Sequence, residues 1–264
     1  MVVIGIWTGI SLLGLIIFHQ FIDVHLRHKD TETVGLTYAI VGVVFAVLIA
    51  VIVVDVWETA SKADEIATAE ANTLSNLLLD STGLPSDAAA GVRDDIEKYV
   101  DLVIKSEWPS QRKGITSEAV YEHGWSLIGH LAKQLAVFEP TTMGQNADKA
   151  EMLRTTNDLI KSRRIRILAA ADHMPDVIWM ILVIAGVVAV VYTYLFGAHS
   201  FGIHLAITGL IAASIALVFV LIIALDYPFR GDVSVSDEAF AGVRATASEA
   251  IAPADEKPKP HTGG

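Results

Sequence analysis

The stretch from Val177 to Leu225 contains no Asp, Glu, Lys or Arg. A soluble domain rarely keeps so long a segment uncharged, and about 20 apolar residues are enough to cross a bilayer core of roughly 30 Å. Small and polar residues at positions 196–202 interrupt the segment near its middle. The pattern therefore predicts two membrane-spanning helices joined by a tight turn.

The amino-terminal part of the chain repeats this pattern. Met1–Ile22 and Thr33–Val54 carry no formal charge, and a short polar connector at 23–32 separates them. Because backbone polar groups cannot stay unpaired in hydrocarbon, apolar segments of this length must be helices. We therefore predict four transmembrane helices arranged in two hairpins.

The region between the hairpins shows helical rather than alternating periodicity, so the predicted fold class is all-α, with a cytoplasmic helical bundle inserted between the hairpins. The second span is expected to continue to about Leu78, and further helices to begin near Ser86, Thr116 or Ser117, and Gln145. Gly83-Leu84-Pro85, Pro109 and Pro140 are expected to stop helices. The predicted boundaries are 1–57 for the first hairpin, 58–174 for the helical domain, 175–228 for the second hairpin and 229–264 for a cytoplasmic tail that is disordered from about residue 253.

Composition and charge narrow the class of protein. The chain is 53% hydrophobic but also 19% charged, so a sizeable water-facing part must exist. It has no cysteine, which excludes disulfides and thiolate metal sites. Its net charge of -11 without a basic patch argues against a nucleic-acid partner.

The basic residues near the membrane predict the orientation. The side that holds both termini and the helical domain carries Lys62, Lys161, Arg163, Arg164, Arg166 and Arg230. The opposite side carries only Arg27 and Lys29. The positive-inside bias therefore predicts a multi-pass protein of the cell (inner) membrane with both termini in the cytoplasm.

Several short strings, in order and spacing, resemble a bacterial membrane family described as bestrophin-like. The strings are VDVWE at 54–58, EAN at 70–72, EWP at 107–109, EP at 139–140, RRIR at 163–166, PDVIW at 175–179, YLFG at 194–197, ALDYPFRG at 224–231 and VSVS at 233–236. Asp237-Glu238-Ala239 departs from the pattern, where prolines are expected. The resemblance covers the chain up to about residue 243.

This resemblance implies a function that the spacing of residues does not show. Bestrophins are oligomeric anion channels with cytoplasmic termini, so the resemblance implies a homo-oligomeric ion channel that conducts inorganic anions. The alternative is a non-conducting membrane scaffold or sensor whose helical domain recruits a partner. The spans are expected to hold no ionisable group other than His19, which argues against a coupled transporter and against an enzyme. No cofactor is predicted.

The candidate site residues lie at the cytoplasmic membrane boundary. Asp55 and Glu58 share one helix face at i, i+3, while Asp226 and Arg230 follow the fourth span. These four residues are either interfacial ion pairs or a charged pore mouth, in which carboxylates would favour cations and Arg230 would favour anions.

Small residues and basic residues complete the set of candidates. Gly5 and Gly9, like Gly209 and Ala213, form small-xxx-small elements that pack helices within one subunit or between subunits. Anionic lipid headgroups are the predicted contacts of Lys161, Arg163, Arg164 and Arg166. Histidines near the outer connectors, His19, His25, His28, His199 and His204, are interpreted as solvated loop residues, because they lack a metal-ligand spacing.

Overall fold

The computed structural model describes residues 1–21, 31–115, 117–196, 200–231 and 233–249. Within these ranges the chain forms helices and the turns between them, without a β-strand. This confirms the all-α prediction. Most of the connector at 23–32, and the predicted disorder from about residue 253, lie outside the described residues.

The helices are numbered here in chain order. They are α1 (Val2–Phe21), α2 (Thr31–Asp80), α3 (Ser86–Leu102), α4 (Trp108–Arg112), α5 (Glu118–Val137), α6 (Met143–Ala171), α7 (Asp176–Tyr194), α8 (Phe201–Asp226) and α9 (Glu238–Glu249). A 3-10 turn at Ser81–Gly83 follows α2, and a π-helical segment at Val103–Glu107 joins α3 to α4.

The chain divides into two compact units, which we call the membrane unit and the helical unit. The membrane unit comprises residues 1–60 and 173–227, and the helical unit comprises 61–172 and 228–264. By length and composition, four described helical stretches could cross a membrane: α1, α2, the stretch that ends with α7, and α8. The four predicted spans are thus confirmed as candidates, while their hairpin arrangement and sidedness stay predictions.

Helices α1, α7 and α8 pack together in the membrane unit. Trp7 of α1 meets Phe219 of α8 edge to face, with ring centroids 5.1 Å apart. The Tyr194 hydroxyl at the end of α7 donates to the Ser11 carbonyl oxygen at 2.6 Å. The apolar centre that results includes Leu15, Leu182, Ala212 and Ile222.

The helical unit has its own hydrophobic core. Because apolar residues recur every three or four positions, each helix turns one stripe inward. The stripe of α2 includes Ala67, Leu74 and Leu77, and it meets buried residues of α3, α5 and α6, among them Val92, Ile96, Val100, Ile128, Leu131, Leu135, Met152 and Leu159.

One predicted helix stop differs from the structure, and one predicted helix start agrees with it. Pro109 does not end a helix. It lies in the first turn of α4, where a missing backbone N–H costs no helical hydrogen bond. Helix α3 begins at Ser86 as expected, but Pro85 occupies the cap position and no side chain caps the helix.

The segment after the fourth span, which the sequence predicts only as a tail, contains α9. Phe229, Phe240, Val243 and Ala247 are buried in the core of the helical unit. The Trp108 indole N–H donates to the Val235 carbonyl oxygen at 3.0 Å, which ties the segment to α4.

Candidate functional site

Helix α2 has one apolar face that no described residue covers. Its members are 57–68% exposed and recur at spacings of three or four, which places them on one side of the helix: Leu36, Ile40, Val43, Val47, Val51 and Val54. Asp55 and Glu58 continue this face by one more turn and are also exposed. We call this set the open face of α2.

The opposite face of α2 packs within the membrane unit. Tyr38 lies edge to face with Phe196, with ring centroids 5.5 Å apart, and tilted against Tyr192 of α7 at 6.3 Å. Ile52 and Val56 are buried in the apolar centre. The helix is therefore fixed by one side and leaves the open face available to lipid, to another subunit or to an ion path.

Asp226 ends α8 as a buried hydrogen-bond acceptor. Only 2% of the residue is exposed. Its Oδ1 accepts from the Met174 backbone N–H at 2.6 Å, and its Oδ2 accepts from the Trp179 indole N–H at 3.0 Å. The carboxylate thus joins the end of α8 to the start of α7 through two neutral donors.

The four predicted boundary charges lie in different surroundings. Asp55 and Glu58 are exposed on α2, Asp226 is buried in the membrane unit, and Arg230 is half-buried in the helical unit. A pore mouth made by Asp55 and Glu58 stays a prediction, as does a role for Arg230 in selectivity.

The helical unit contains a buried charged network that the sequence analysis does not identify as a site. Glu70 of α2, Glu107 of the π-helical segment, and Arg163 and Arg166 of α6 are all fully buried. Arg166 donates through Nε to Glu70 Oε2 at 2.7 Å and through Nη2 to Glu107 Oε2 at 2.7 Å. Arg163 donates through Nη2 to Glu107 Oε1, also at 2.7 Å. Two carboxylates and two guanidinium groups make the network neutral.

Tyr99 links the two halves of this network. Its hydroxyl donates to Glu70 Oε1 at 2.5 Å and accepts from Arg163 Nη1 at 2.9 Å. Burial, and then the negative charge of Glu70, raise the pKa of Tyr99 well above its ordinary value. The phenol therefore stays protonated and acts as a fixed hydrogen-bond relay between α2, α3 and α6.

Aromatic rings enclose both guanidinium groups. Arg166 lies between Trp108 and Phe240, with its Cζ 5.4 and 5.6 Å from the ring centroids. Arg163 lies 5.0 Å from Trp125. Burial disfavours the charged form of Arg166, but attraction to Glu70 and Glu107 outweighs it and raises its pKa well above the ordinary value. Both arginines are therefore permanent cations inside an aromatic shell.

A signal for this network is present in the sequence. Glu70 follows Ala63 and Ala67 on the buried stripe of α2, and Arg163 and Arg166 extend the inward spacing of Leu159 on α6. Two carboxylates and two arginines at positions that the helical period turns inward predict a neutral buried cluster, since isolated buried charges are too costly to persist. Three strings of the bestrophin-like pattern, EAN, EWP and RRIR, supply its four charges.

Two of the four basic residues predicted to contact lipid headgroups are buried. Arg163 and Arg166 are enclosed in the core and bonded to carboxylates, so they cannot reach a headgroup, and the prediction is wrong for these two residues. Lys161 and Arg164 are exposed on α6, and lipid contact stays a prediction for them.

The small-residue elements have different neighbours within the chain. A Cβ at Gly209 would lie 3.6 Å from Leu12, so this glycine is at a contact of α8 with α1. A Cβ at Gly5 or Gly9 would meet no described atom within 4 Å. Ala213 is half-buried. An intersubunit role is therefore still open for the Gly5 and Gly9 face.

The interpretation as solvated loop residues is wrong for both described histidines of this set. His19 lies within α1, with its ring 4.6 Å from that of Phe201. His204 lies within α8, not in a loop, and its buried imidazole donates from Nε2 to the Thr193 carbonyl oxygen at 2.8 Å. His204 is an ionisable group within the fourth span, so the expectation that His19 is the sole ionisable group of the four spans is also wrong. His25, His28 and His199 lie outside the described residues. Among the residues that are described, no group of three or more His, Asp or Glu side chains is placed to hold a metal ion.

These features define an all-helical membrane protein with four apolar helices and a helical unit built around a neutral ionic network. The sequence profile of the Bestrophin-like domain matches residues 5–240. The chain therefore belongs to the Bestrophin-like family, whose members are known as oligomeric ion channels rather than enzymes.

Solved structures share the fold at low sequence identity. One point mutant of a bacterial bestrophin homologue from Klebsiella pneumoniae superposes with a TM-score of 0.70 and 12% identity, over 94% of this chain and 99% of that one. Another point mutant of a Klebsiella pneumoniae homologue superposes with a TM-score of 0.68 at 12% sequence identity. The match covers 93% of this chain and 98% of that one. A crystal structure described only as that of a mutated membrane protein superposes with a TM-score of 0.67 at 11% sequence identity. The match covers 92% of this chain and 97% of that one. Comparison with curated proteins found no match.

Proposed function

We propose that the protein is an oligomeric, anion-conducting channel whose ion path is lined by the open face of α2. The observation that carries the proposal is this face, which is uncovered, apolar and ends in exposed Asp55 and Glu58. Four helices in one subunit are too few to surround a pore, so several copies would have to place this face around a common axis.

An uncharged wall is compatible with conduction and gating. Hydrophobic constrictions can gate a pore by dewetting, without any ionisable group in the wall. Val47, near the middle of the exposed stripe, would lie at such a constriction. The preference for anions rests on the resemblance to bestrophins, and exposed carboxylates at Asp55 and Glu58 would oppose it if they faced the ions. Selectivity must therefore be measured directly.

A polar substitution on the open face tests the proposed ion path. Val47→Thr keeps the shape of the side chain but adds a hydroxyl, so we expect chloride efflux from liposomes to rise several-fold if Val47 faces a dewetted constriction. The matched control is Val188→Thr on α7, where the same change is made at an exposed valine of another span. Equal efflux from both variants and the unmodified protein would remove α2 as the pore-lining helix.

A non-conducting scaffold is the second candidate. Exposed apolar side chains of the helical unit, among them Leu79, Val137 and Met143, favour contact with another protein. Well-folded oligomers that pass neither chloride nor potassium would support this function over the channel.

A further inference from the structure

A cavity of about 260 Å³ lies in the membrane unit, between α1 and α7. Its lining residues come from positions 7–14 of α1 and 187–194 of α7. It therefore extends over two helical turns of each helix, or roughly 10 Å along the helix axis. We call it the α1–α7 groove. It shares no residue with the open face of α2 or with the buried charged network.

Buried residues form the floor of the groove. Ser11, Val190 and Tyr194 are 4–7% exposed. The Tyr194 ring lies so close to α1 that a Cβ at Gly14 would be 2.7 Å from the tyrosine hydroxyl oxygen. Glycine at position 14 therefore allows the ring to lie against α1 at one end of the groove.

Exposed apolar residues form the rim of the groove. Ile10, Val187 and Val191 are 42–66% exposed. The two valines lie 11 and 15 residues after Asp176, the first residue of α7, which is roughly 16–23 Å along the helix. Because the hydrocarbon core of a bilayer is roughly 30 Å thick, the groove opens towards acyl chains rather than headgroups.

The groove offers few hydrogen bonds to water. The Ser11 hydroxyl donates to the Trp7 carbonyl oxygen at 2.8 Å, and the Tyr194 hydroxyl donates to the Ser11 carbonyl oxygen at 2.6 Å. The Trp7 indole N–H is enclosed by protein atoms, so it presents no surface to a water molecule. None of the described lining residues is charged. Since a buried water needs two to four polar partners, the groove favours an apolar occupant.

We propose that the α1–α7 groove binds one acyl chain of a membrane phospholipid. An apolar cavity of about 150 Å³ is large enough for a benzene molecule, so the groove has room for a longer piece of hydrocarbon. An unfilled gap would deprive its walls of dispersion contacts, which the chain supplies. The bound chain joins α1 to α7, and its binding does not depend on conduction.

The shape of the rim favours an acyl chain over a helix from a second copy of this protein. Closely packed membrane helices have small residues at their contact, which let the backbones approach. Ile10, Val187 and Val191 are bulky and branched, so they hold a second backbone away from the floor, whereas a thin flexible chain passes between them. At 3.6 residues per turn, Gly5 and Gly9 lie on the opposite side of α1. The small-residue face thus stays available to another subunit.

A phospholipid that carries bromine in the middle of its acyl chains is a direct probe, because bromine scatters anomalously in crystals of the full chain. We expect a bromine peak in the groove, within about 4 Å of Val187 or Val190. Val187→Phe fills the groove with a larger side chain and should abolish the peak. The matched control is Val188→Phe, the same change at an exposed valine on another side of α7, which should keep the peak.

Native mass spectrometry tests the same site in solution. After washing with detergent, the unmodified protein and Val188→Phe should each retain one more phospholipid per subunit than Val187→Phe. The crystal of the unmodified protein needs no variant to fold, so it decides the question even if Val187→Phe is unstable. A groove that is empty, or that holds water or a side chain of a neighbouring subunit, would overturn the proposal, as would equal lipid retention by the three proteins.

Discussion

Glu107 illustrates how a charge can be buried at acceptable cost. Its Oε1 accepts from Arg163 and its Oε2 from both arginines, so neither carboxylate oxygen lacks a partner. Removing one partner of a buried pair costs far more than the pair contributes, because it leaves an uncompensated charge. The energetics of the network therefore depend on its neutrality.

Glu107→Gln should lower the free energy of unfolding of the helical unit by about 3–5 kcal/mol, because it leaves one buried guanidinium unmatched. Thermal unfolding in detergent, followed by circular dichroism, measures the change. Glu151→Gln is the matched control, since Glu151 pairs with Arg154 at the surface and such pairs contribute about 0–1 kcal/mol. The double variant Glu107→Gln, Arg163→Met restores neutrality and should recover part of the loss. Equal stability of Glu107→Gln and Glu151→Gln would contradict this account.

Tyr99 makes the stability of the helical unit depend on pH in the alkaline range. Its pKa in the folded protein is raised well above the value of about 10 expected in the unfolded chain. Above a pH of about 10 the unfolded chain releases this proton while the folded one keeps it. The contribution of the protonated phenol is therefore fully present below the unfolded pKa and is lost as the pH rises towards the folded pKa.

We expect the unmodified protein to lose stability more steeply above a pH of about 10 than Tyr99→Phe, by up to about 1.4 kcal/mol per pH unit. Denaturant unfolding at a series of pH values from neutral to alkaline measures both slopes. At neutral pH, Tyr99→Phe should itself be less stable by about 1–3 kcal/mol, because Glu70 and Arg163 lose a buried partner. Parallel pH curves for the two proteins would show that the phenol ionises equally in both states.

At the scale of elements, the sequence shows where helices form better than it shows where they pack. Uncharged runs and helical spacing are sufficient to predict the four spans and the continuation of α2. Pro109 does not act as the predicted stop because its place in the first turn of α4 depends on the preceding π-helical segment. Helix α9 escapes prediction because its short stripe of Phe240, Val243 and Ala247 gains stability only from the core that it covers.

The docking of α9 can be tested at its largest buried side chain. Phe240→Ala should lower the free energy of unfolding of the helical unit by about 3–5 kcal/mol and expose the Arg166 guanidinium to water. Hydrogen exchange should then rise in α9 and in the π-helical segment. Val233→Ala is the control, since Val233 lies in the same segment but is exposed. Unchanged exchange in Phe240→Ala would show that α9 is not held by this contact.

The Asp226 carboxylate joins the end of α8 to the start of α7. Asp226→Asn keeps one acceptor oxygen for two donors, so either Met174 N–H or the Trp179 indole loses its partner. We expect the free energy of unfolding to fall by about 1–3 kcal/mol. The change would be seen as a lower thermal midpoint together with altered Trp179 fluorescence. Asp55→Asn, at an exposed carboxylate of the same unit, should leave both signals unchanged.

At the scale of the whole molecule, membrane location and fold class follow from the sequence, whereas the chemistry of the interior does not. The basic residues of RRIR are predicted to contact lipid from their position beside the third span, although the helical spacing after Leu159 turns Arg163 and Arg166 inward. Arg163 and Arg166 lie on the same helix stripe as Leu159, and only the positions of Glu70 and Glu107 in space reveal why they are inside. Charges with distant partners are therefore the residues that sequence reasoning is least able to place.

The chain belongs to the Bestrophin-like family, whose members are known as oligomeric ion channels, and its own conduction and ion are left to be measured. The decisive measurement is the reversal potential of currents through purified oligomers in planar bilayers under a potassium chloride gradient. An anion-conducting channel should give reversal near the equilibrium potential of chloride. Reversal near the equilibrium potential of potassium, or no current from well-folded oligomers, would contradict it.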